Sequence, residues 1–201
     1  MKAKTTKKPA GVDPGIPTRA FKDAAAWEAW LAKNQSSPGG IWMRLAKKAS
    51  GTKSITYPQA LEVALCYGWI DAQKRPESET AWLQRFMPRR PKSIWSQINR
   101  DKALGLIERG QMRPGGLEEV ERARQDGRWD AAYEPARSAT IPADFQTELD
   151  RHPNAKAFFK TISATNRYAI LWRLQTAKKA ETRAKRLTSF IEMLEKGETI
   201  H

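Results

Sequence analysis

The chain has 201 residues, a net charge of +14, eight tryptophans, one cysteine and two histidines. At 40% apolar residues it is globular rather than disordered, with room for one domain or two small ones. Cys66 alone excludes an internal disulfide, and the widely separated His152 and His201 offer no metal spacing, so neither zinc nor any other cofactor is expected.

Residues 1–16 read as a basic tail, with Lys2, Lys4, Lys7 and Lys8 against Asp13 and no apolar stretch to make a secretory signal. Asp23 is placed to cap a first helix whose Trp27, Trp30 and Leu31 share one face. Ile41–Leu45 reads as a mostly buried strand, followed by a turn at Ser50-Gly51. The fragment Gly51-Thr52-Lys53-Ser54 hints at a phosphate loop but lacks the adjacent Gly-Lys and the upstream glycine spacing, and is rejected as one. Thr56-Tyr57-Pro58-Gln59 then opens a core helix in capping-box style, and Cys66 within it reads as a small buried hydrophobe.

Trp69–Asp71 and Ala81–Met87 are two expected strands. Ser93 is expected to cap a helix bearing Trp95, Ile98 and Leu106, and Leu117, Val120 and Ala123 mark another. The domain reading is an N-terminal α+β domain over 17–133, a linker over 134–141 and a helical domain over 142–201. The last contains helices marked by Phe145 and Leu149, by Ala155, Phe158, Phe159 and Ile162, and by Tyr168, Leu171 and Trp172 after Ser163. Its final helix has an apolar stripe of Ala180, Ala184, Leu187, Ile191 and Leu194, closed by Gly197. The expected fold class is therefore α+β, a small sheet with packed helices followed by an all-helical module. No apolar run approaches the ~20 residues of a membrane helix.

Positive charge gathers in two places besides the tail, and each points to an anionic partner. The first, between Leu83 and Arg113, sums to +6. Here a candidate anion site is read in Trp69, Asp71, Trp82, Arg85, Arg89, Arg90, Ser93, Trp95 and Asn99. Arginine forks and a helix N-terminus would hold the anion beside a tryptophan wall. Two other readings of the segment stay open: the arginines pair with Asp71, Glu77 or Glu79 around core tryptophans, or Asp71 or Glu79 acts as a general acid or base.

The second concentration, Arg167–Arg186, also sums to +6. On the last helix Lys179, Arg183 and Arg186 fall at i, i+4 and i+7, rotated ~100° from the apolar stripe. With Lys178 and Lys185 they form either a solvated flank or a grip for nucleic-acid phosphates, an acidic protein or an acidic membrane surface.

Several segments together resemble the YdeI/OmpD-associated, or bacteriocin-protection, family. They are Trp27-Glu28-Ala29-Trp30-Leu31, GIWMRLAKK from Gly40, TYPQALEVALCYGWID from Thr56, RFMPRRPKSIWSQIN from Arg85, GQMRPGG from Gly110, DGRWDAAY from Asp126 and the closing AKKAETRAKRL. They run in order over roughly Phe21 to Gly197. The resemblance implies a small bacterial α+β protein with a helical C-terminal module. It also implies a link to resistance against antimicrobial peptides, bacteriocins or envelope stress, with no catalytic residues to transfer.

The reading that results is a non-enzymatic, cytoplasmic stress or bacteriocin-resistance protein binding an anionic ligand or partner through the Arg/Trp segment. Its alternative is sequence-independent nucleic-acid binding through the last helix.

Overall fold

The computed structural model describes residues 15–201; all of the expected basic tail but Gly15 and Ile16 lies outside the described residues. The protein is α+β, with a four-stranded sheet near its start and a run of helices after it. It divides into two compact units. One holds the residues up to Ser93 together with Asp101–Asp126, the other Ile94–Arg100 with Gly127–His201.

In the first unit, β1 (Thr18–Ala20) pairs in parallel with β2 (Ile41–Ala46), β2 antiparallel with β4 (Ala81–Pro88), and β4 antiparallel with β3 (Trp69–Pro76). β1 escapes sequence reading because three residues are too few to show alternation. β3 runs further than expected, past an irregularity between Asp71 and Lys74.

Alternation along β2 puts Ile41, Met43 and Leu45 on one face, and the register adds Phe86 to it. Against this face packs α1 (Ala24–Asn34), whose Trp27 is fully buried with its ring 5.7 Å from that of Phe86 and 6.1 Å from that of Trp69. Asp23 caps α1 as expected, its carboxylate accepting from the Ala26 N–H at 2.8 Å.

The second core helix, α2 (Tyr57–Cys66), begins where Gln59 Oε1 reaches back to accept from the Thr56 N–H at 3.0 Å. It ends at Gly68, which needs glycine twice over. Its φ is +75°, and an added Cβ would lie 2.5 Å from the Gly115 carbonyl at the start of α4 (Pro114–Gln125). On α4, Val120 and Ala123 are buried, whereas Leu117 is exposed.

The helix expected after Ser93 starts later. α3 spans Gln97–Glu108, and the hydroxyl that receives its free N–H is that of Ser96, from Asn99 at 3.1 Å. Ser93 is occupied in the turn before it: its N–H donates to the Arg90 carbonyl and its Oγ accepts from the Arg90 N–H. Pro91 favours that turn. Trp95 therefore precedes the helix, and Ile98 is exposed.

The second unit is built on α5 (Ala143–Arg151), α6 (Pro153–Thr161), α7 (Ala164–Gln175) and α8 (Ala180–Glu195). Phe145, Leu149, Phe159, Ile170, Leu174 and Ile191 lie in its core. Ser163 caps α7 through the Asn166 N–H at 3.2 Å, and Gly197 (φ +69°) closes α8. The apolar stripe on α8 is only half used: Phe190, Ile191 and Leu194 are buried, but Ala180 and Ala184 are exposed. Glu134 ties its own segment to this unit, accepting from the Tyr168 hydroxyl at 3.0 Å and from the Gln175 amide at 3.2 Å.

Candidate anion-binding site

The central Arg/Trp segment is mostly inward-facing. Trp69 is fully buried and its indole N–H donates to the Gln35 carbonyl at 3.0 Å. Asp71 accepts from the Tyr57 hydroxyl at 2.8 Å. Trp82 packs beside Tyr57, with Lys74 Nζ 4.4 Å above its ring. Arg85 donates to the Gly39 carbonyl at 3.0 Å, and Arg89 is 5% exposed. Arg90 and Lys92 face solvent. Trp95, buried and 4.9 Å from Trp129, belongs with Asn99 to the other unit. Trp69 and Trp95, so enclosed, pack the interior, whereas Trp82 is half-buried; a stacking wall requires open faces.

The acidic partners proposed for those arginines also sit elsewhere. Glu77 binds Arg44 through both carboxylate oxygens, at 2.6–2.9 Å, and Arg44 holds its carboxyl below the usual range.

On the last helix the expected basic flank is partly drawn in. Arg183 forks onto Asp144 with two bonds of 2.7 Å and donates to the Leu174 carbonyl at 2.6 Å. Arg186 donates to the Arg173 carbonyl at 2.5 Å. These two side chains serve the orphan carbonyls at the α7 C-terminus, where cations are favoured. Lys185 pairs with Glu181 at 2.8 Å, and Lys178 and Lys179 are exposed.

Cations converge instead where β2 ends and β4 begins. A hollow of about 350 Å³ is lined there by Lys22, Arg44 and Lys53 together with Thr52, Ser54 and Thr80, and no carboxylate is among its lining residues. Three connections hold its walls. The Ala46 N–H donates to Ser54 Oγ at 3.2 Å, the Ile55 N–H to the Phe21 carbonyl at 3.1 Å and the Lys47 N–H to the Thr80 carbonyl at 2.8 Å. Arg44 is engaged by Glu77, and Lys22 stands 4.0 Å from Asp23 with both side chains mostly exposed, a weak pairing. Lys53 has no ion pair among the described residues. The site therefore offers two ammonium groups and the hydroxyls of Thr52 and Thr80 to an incoming anion, the Ser54 hydroxyl being donated to the Ile55 carbonyl.

The sequence fragment that touched this place was Gly51-Thr52-Lys53-Ser54. It is not a phosphate loop here either, because Lys53 precedes the α2 cap at Thr56 and no helix start cradles it. Lys22 and Arg44 come from other elements, so no linear scan of charge could join the three.

Another hollow, about 310 Å³, lies between α1, α2 and the turn before α4. Its rim pairs Arg113 with Glu28 at 2.6 Å, and Cys66 is part of its lining. Burial, reinforced by Glu28, pushes the Cys66 thiol up to about 11, which keeps it protonated near neutral pH. Among the described residues no cluster of three His, Cys, Asp or Glu side chains is placed to hold a metal ion, and no helix is long and apolar enough to cross a membrane.

These features define an α+β protein with a cationic pocket at one end of its sheet and a separate helical unit. Residues 19–119, just over half of the chain, match the family described as "Domain of unknown function (DUF8412)", and the chain belongs to that family, with a match to "Bacteriocin-protection, YdeI or OmpD-Associated" over residues 138–197. The two matches divide the resemblance seen in the sequence. The pieces from Trp27 to Gly116 fall in the first, AKKAETRAKRL falls in the second, and DGRWDAAY falls between them. The second match supports a bacteriocin-protection, YdeI-like role in general. No curated protein and no solved structure matches the chain.

Proposed function

We propose that this protein acts in bacteriocin protection by binding rather than by catalysis, and that its ligand is a small molecule bearing a phosphate, sulfate or carboxylate group. The observation that supports the reading is the hollow lined by Lys22, Arg44 and Lys53 with no carboxylate among its lining residues. An anion seated there takes charge-assisted hydrogen bonds from Lys22 and Lys53 and neutral ones from Thr52 and Thr80. Arg44 contributes field, since Glu77 already occupies its fork.

This keeps the anionic ligand expected from the sequence and moves its recognition away from Trp69 and Trp95, which are enclosed, and from Arg89, which is buried. Arg90 and Lys92 of the central segment face solvent, and the 350 Å³ hollow has neither in its lining. Nucleic-acid binding through α8 has no particular support, because Arg183 and Arg186 are directed at α7 carbonyls.

The test is thermal protection by inorganic phosphate. A ligand that binds only the folded chain raises its melting temperature with concentration. Phosphate should protect the wild type and not the Lys22→Ala/Lys53→Ala double variant. Equal protection of both would remove the pocket from consideration.

A further inference from the structure

The helical unit has a second hollow of different chemistry. Between α5 and the first half of α8 runs a groove of about 690 Å³, with Ala180, Ala184, Leu187 and Ile191 along one wall. This is the α8 stripe whose first half the unit's own core leaves uncovered. Its uncovered part, Ala180, Ala184 and Leu187 at i, i+4 and i+7, covers about 10 Å of helix, close to two turns. That is the length over which an amphipathic helix lays its own i, i+4 and i+7 anchors into a groove.

The groove is preformed. The Arg183 fork on Asp144 fastens the first turns of α8 to the start of α5. Its charge is opposite to that of the chain. Asp144 and Arg183 cancel each other, which leaves Glu148 and Glu192 as the remaining charged lining groups, beside His152. Glu148 shares the exposed Arg151 at 2.8 Å, and Glu192 has no ion pair among the described residues. In a protein of net charge +14, an apolar channel edged by carboxylates selects a partner that is apolar and positive at once.

We infer that the α5–α8 groove docks a cationic amphipathic helical peptide, its apolar face on Ala180, Ala184 and Leu187 and its lysines or arginines toward Glu148 and Glu192. The site is distinct from the sheet-end anion pocket, and neither depends on the other. An acidic partner is repelled here, and a second copy of this chain, itself strongly basic, is the competing occupant.

The experiment is fluorescence anisotropy on the full chain with a labelled Leu/Lys amphipathic peptide of about 14 residues, roughly 21 Å as a helix. A Leu/Glu peptide of the same pattern serves as the control. The Leu/Lys peptide should bind one per chain while the Leu/Glu peptide does not. Ala184→Lys, at an exposed position where the fold tolerates lysine, should weaken binding about tenfold or more by placing charge in the channel. Glu148→Gln with Glu192→Gln should weaken it several-fold and flatten its dependence on salt.

Equal binding of the two peptides, or wild-type affinity in Ala184→Lys, overturns the inference. So does concentration-dependent dimerisation that Ala184→Lys abolishes in the absence of any peptide binding, because the groove then belongs to a second copy. Loss of phosphate protection in Lys22→Ala/Lys53→Ala leaves this result untouched, so the two sites stand or fall separately.

Discussion

The helical unit and the sheet-bearing unit treat their cations in opposite ways. Along α8 the basic residues are dense in sequence, yet Arg183 and Arg186 fold back onto α7 carbonyls and Lys185 onto Glu181. At the end of the sheet the cations are sparse in sequence, yet Lys22, Arg44 and Lys53 arrive at one hollow from different elements. A run of charge on one helix is easily absorbed, because a neighbouring helix end supplies carbonyls within reach of a long guanidinium arm. Of the charges that converge from separate elements, Arg44 meets Glu77, but Lys53 is left without an ion pair among the described residues. Charge density along the chain is thus a poor guide to where an anion can sit.

The same contrast explains what could be read from the sequence. Local signals served well: the Asp23 and Ser163 caps, the Gln59 return to Thr56 and the Gly197 stop are found where residue chemistry places them. The α+β class followed from the period of the apolar residues. Long-range facts did not follow. Nothing local says that Ser93 is occupied by Arg90 so that Ser96 must cap α3, or that Ala180 and Ala184 face a groove where a core was expected. The tryptophans of the central segment are ambiguous for a related reason. A residue that suits both a binding wall and a core cannot reveal which until its neighbours are placed; Trp69 and Trp95 are enclosed, while Trp82 is half-buried.

Substitutions can break or sharpen the comparison. The largest effect belongs to the aromatic core of the sheet unit. Trp27→Ala should lower stability by about 3–5 kcal/mol in urea unfolding, since the fully buried ring leaves a cavity against Phe86 and Trp69. A loss below ~1 kcal/mol would mean that the ring is not in the core.

Arg183→Ala comes next, because it removes the two bonds to Asp144 and the one to Leu174. Both partners are partly open to solvent, so after screening the cost should be about 1 kcal/mol at pH 7. The pH dependence has a fixed sign. The Arg183 hydrogen bonds hold the Asp144 carboxyl below its ordinary range. Its stabilisation is therefore present above the unfolded value of about 3.9 and is lost as pH falls through the folded one. Thermal melts of wild type and variant should converge between pH 4 and pH 2. A difference unchanged over that range would show that the Asp144 pair contributes nothing and that only the Leu174 carbonyl matters.

A smaller change is expected at the start of α2. Gln59→Ala removes the acceptor for the Thr56 N–H and should cost about 0.5–1 kcal/mol, read as a shift in urea midpoint without a change in slope.

The contrast between converging and consecutive cations is tested most directly by titrating phosphate against three proteins and following thermal protection. Lys22→Ala/Lys53→Ala empties the sheet-end pocket of its ammonium groups; Arg90→Ala/Lys92→Ala removes the exposed cations of the Arg-rich segment at equal cost in net charge. Protection should vanish in the first variant and persist in the second. Loss in the second with retention in the first would return the anion to the Arg-rich segment and contradict the account.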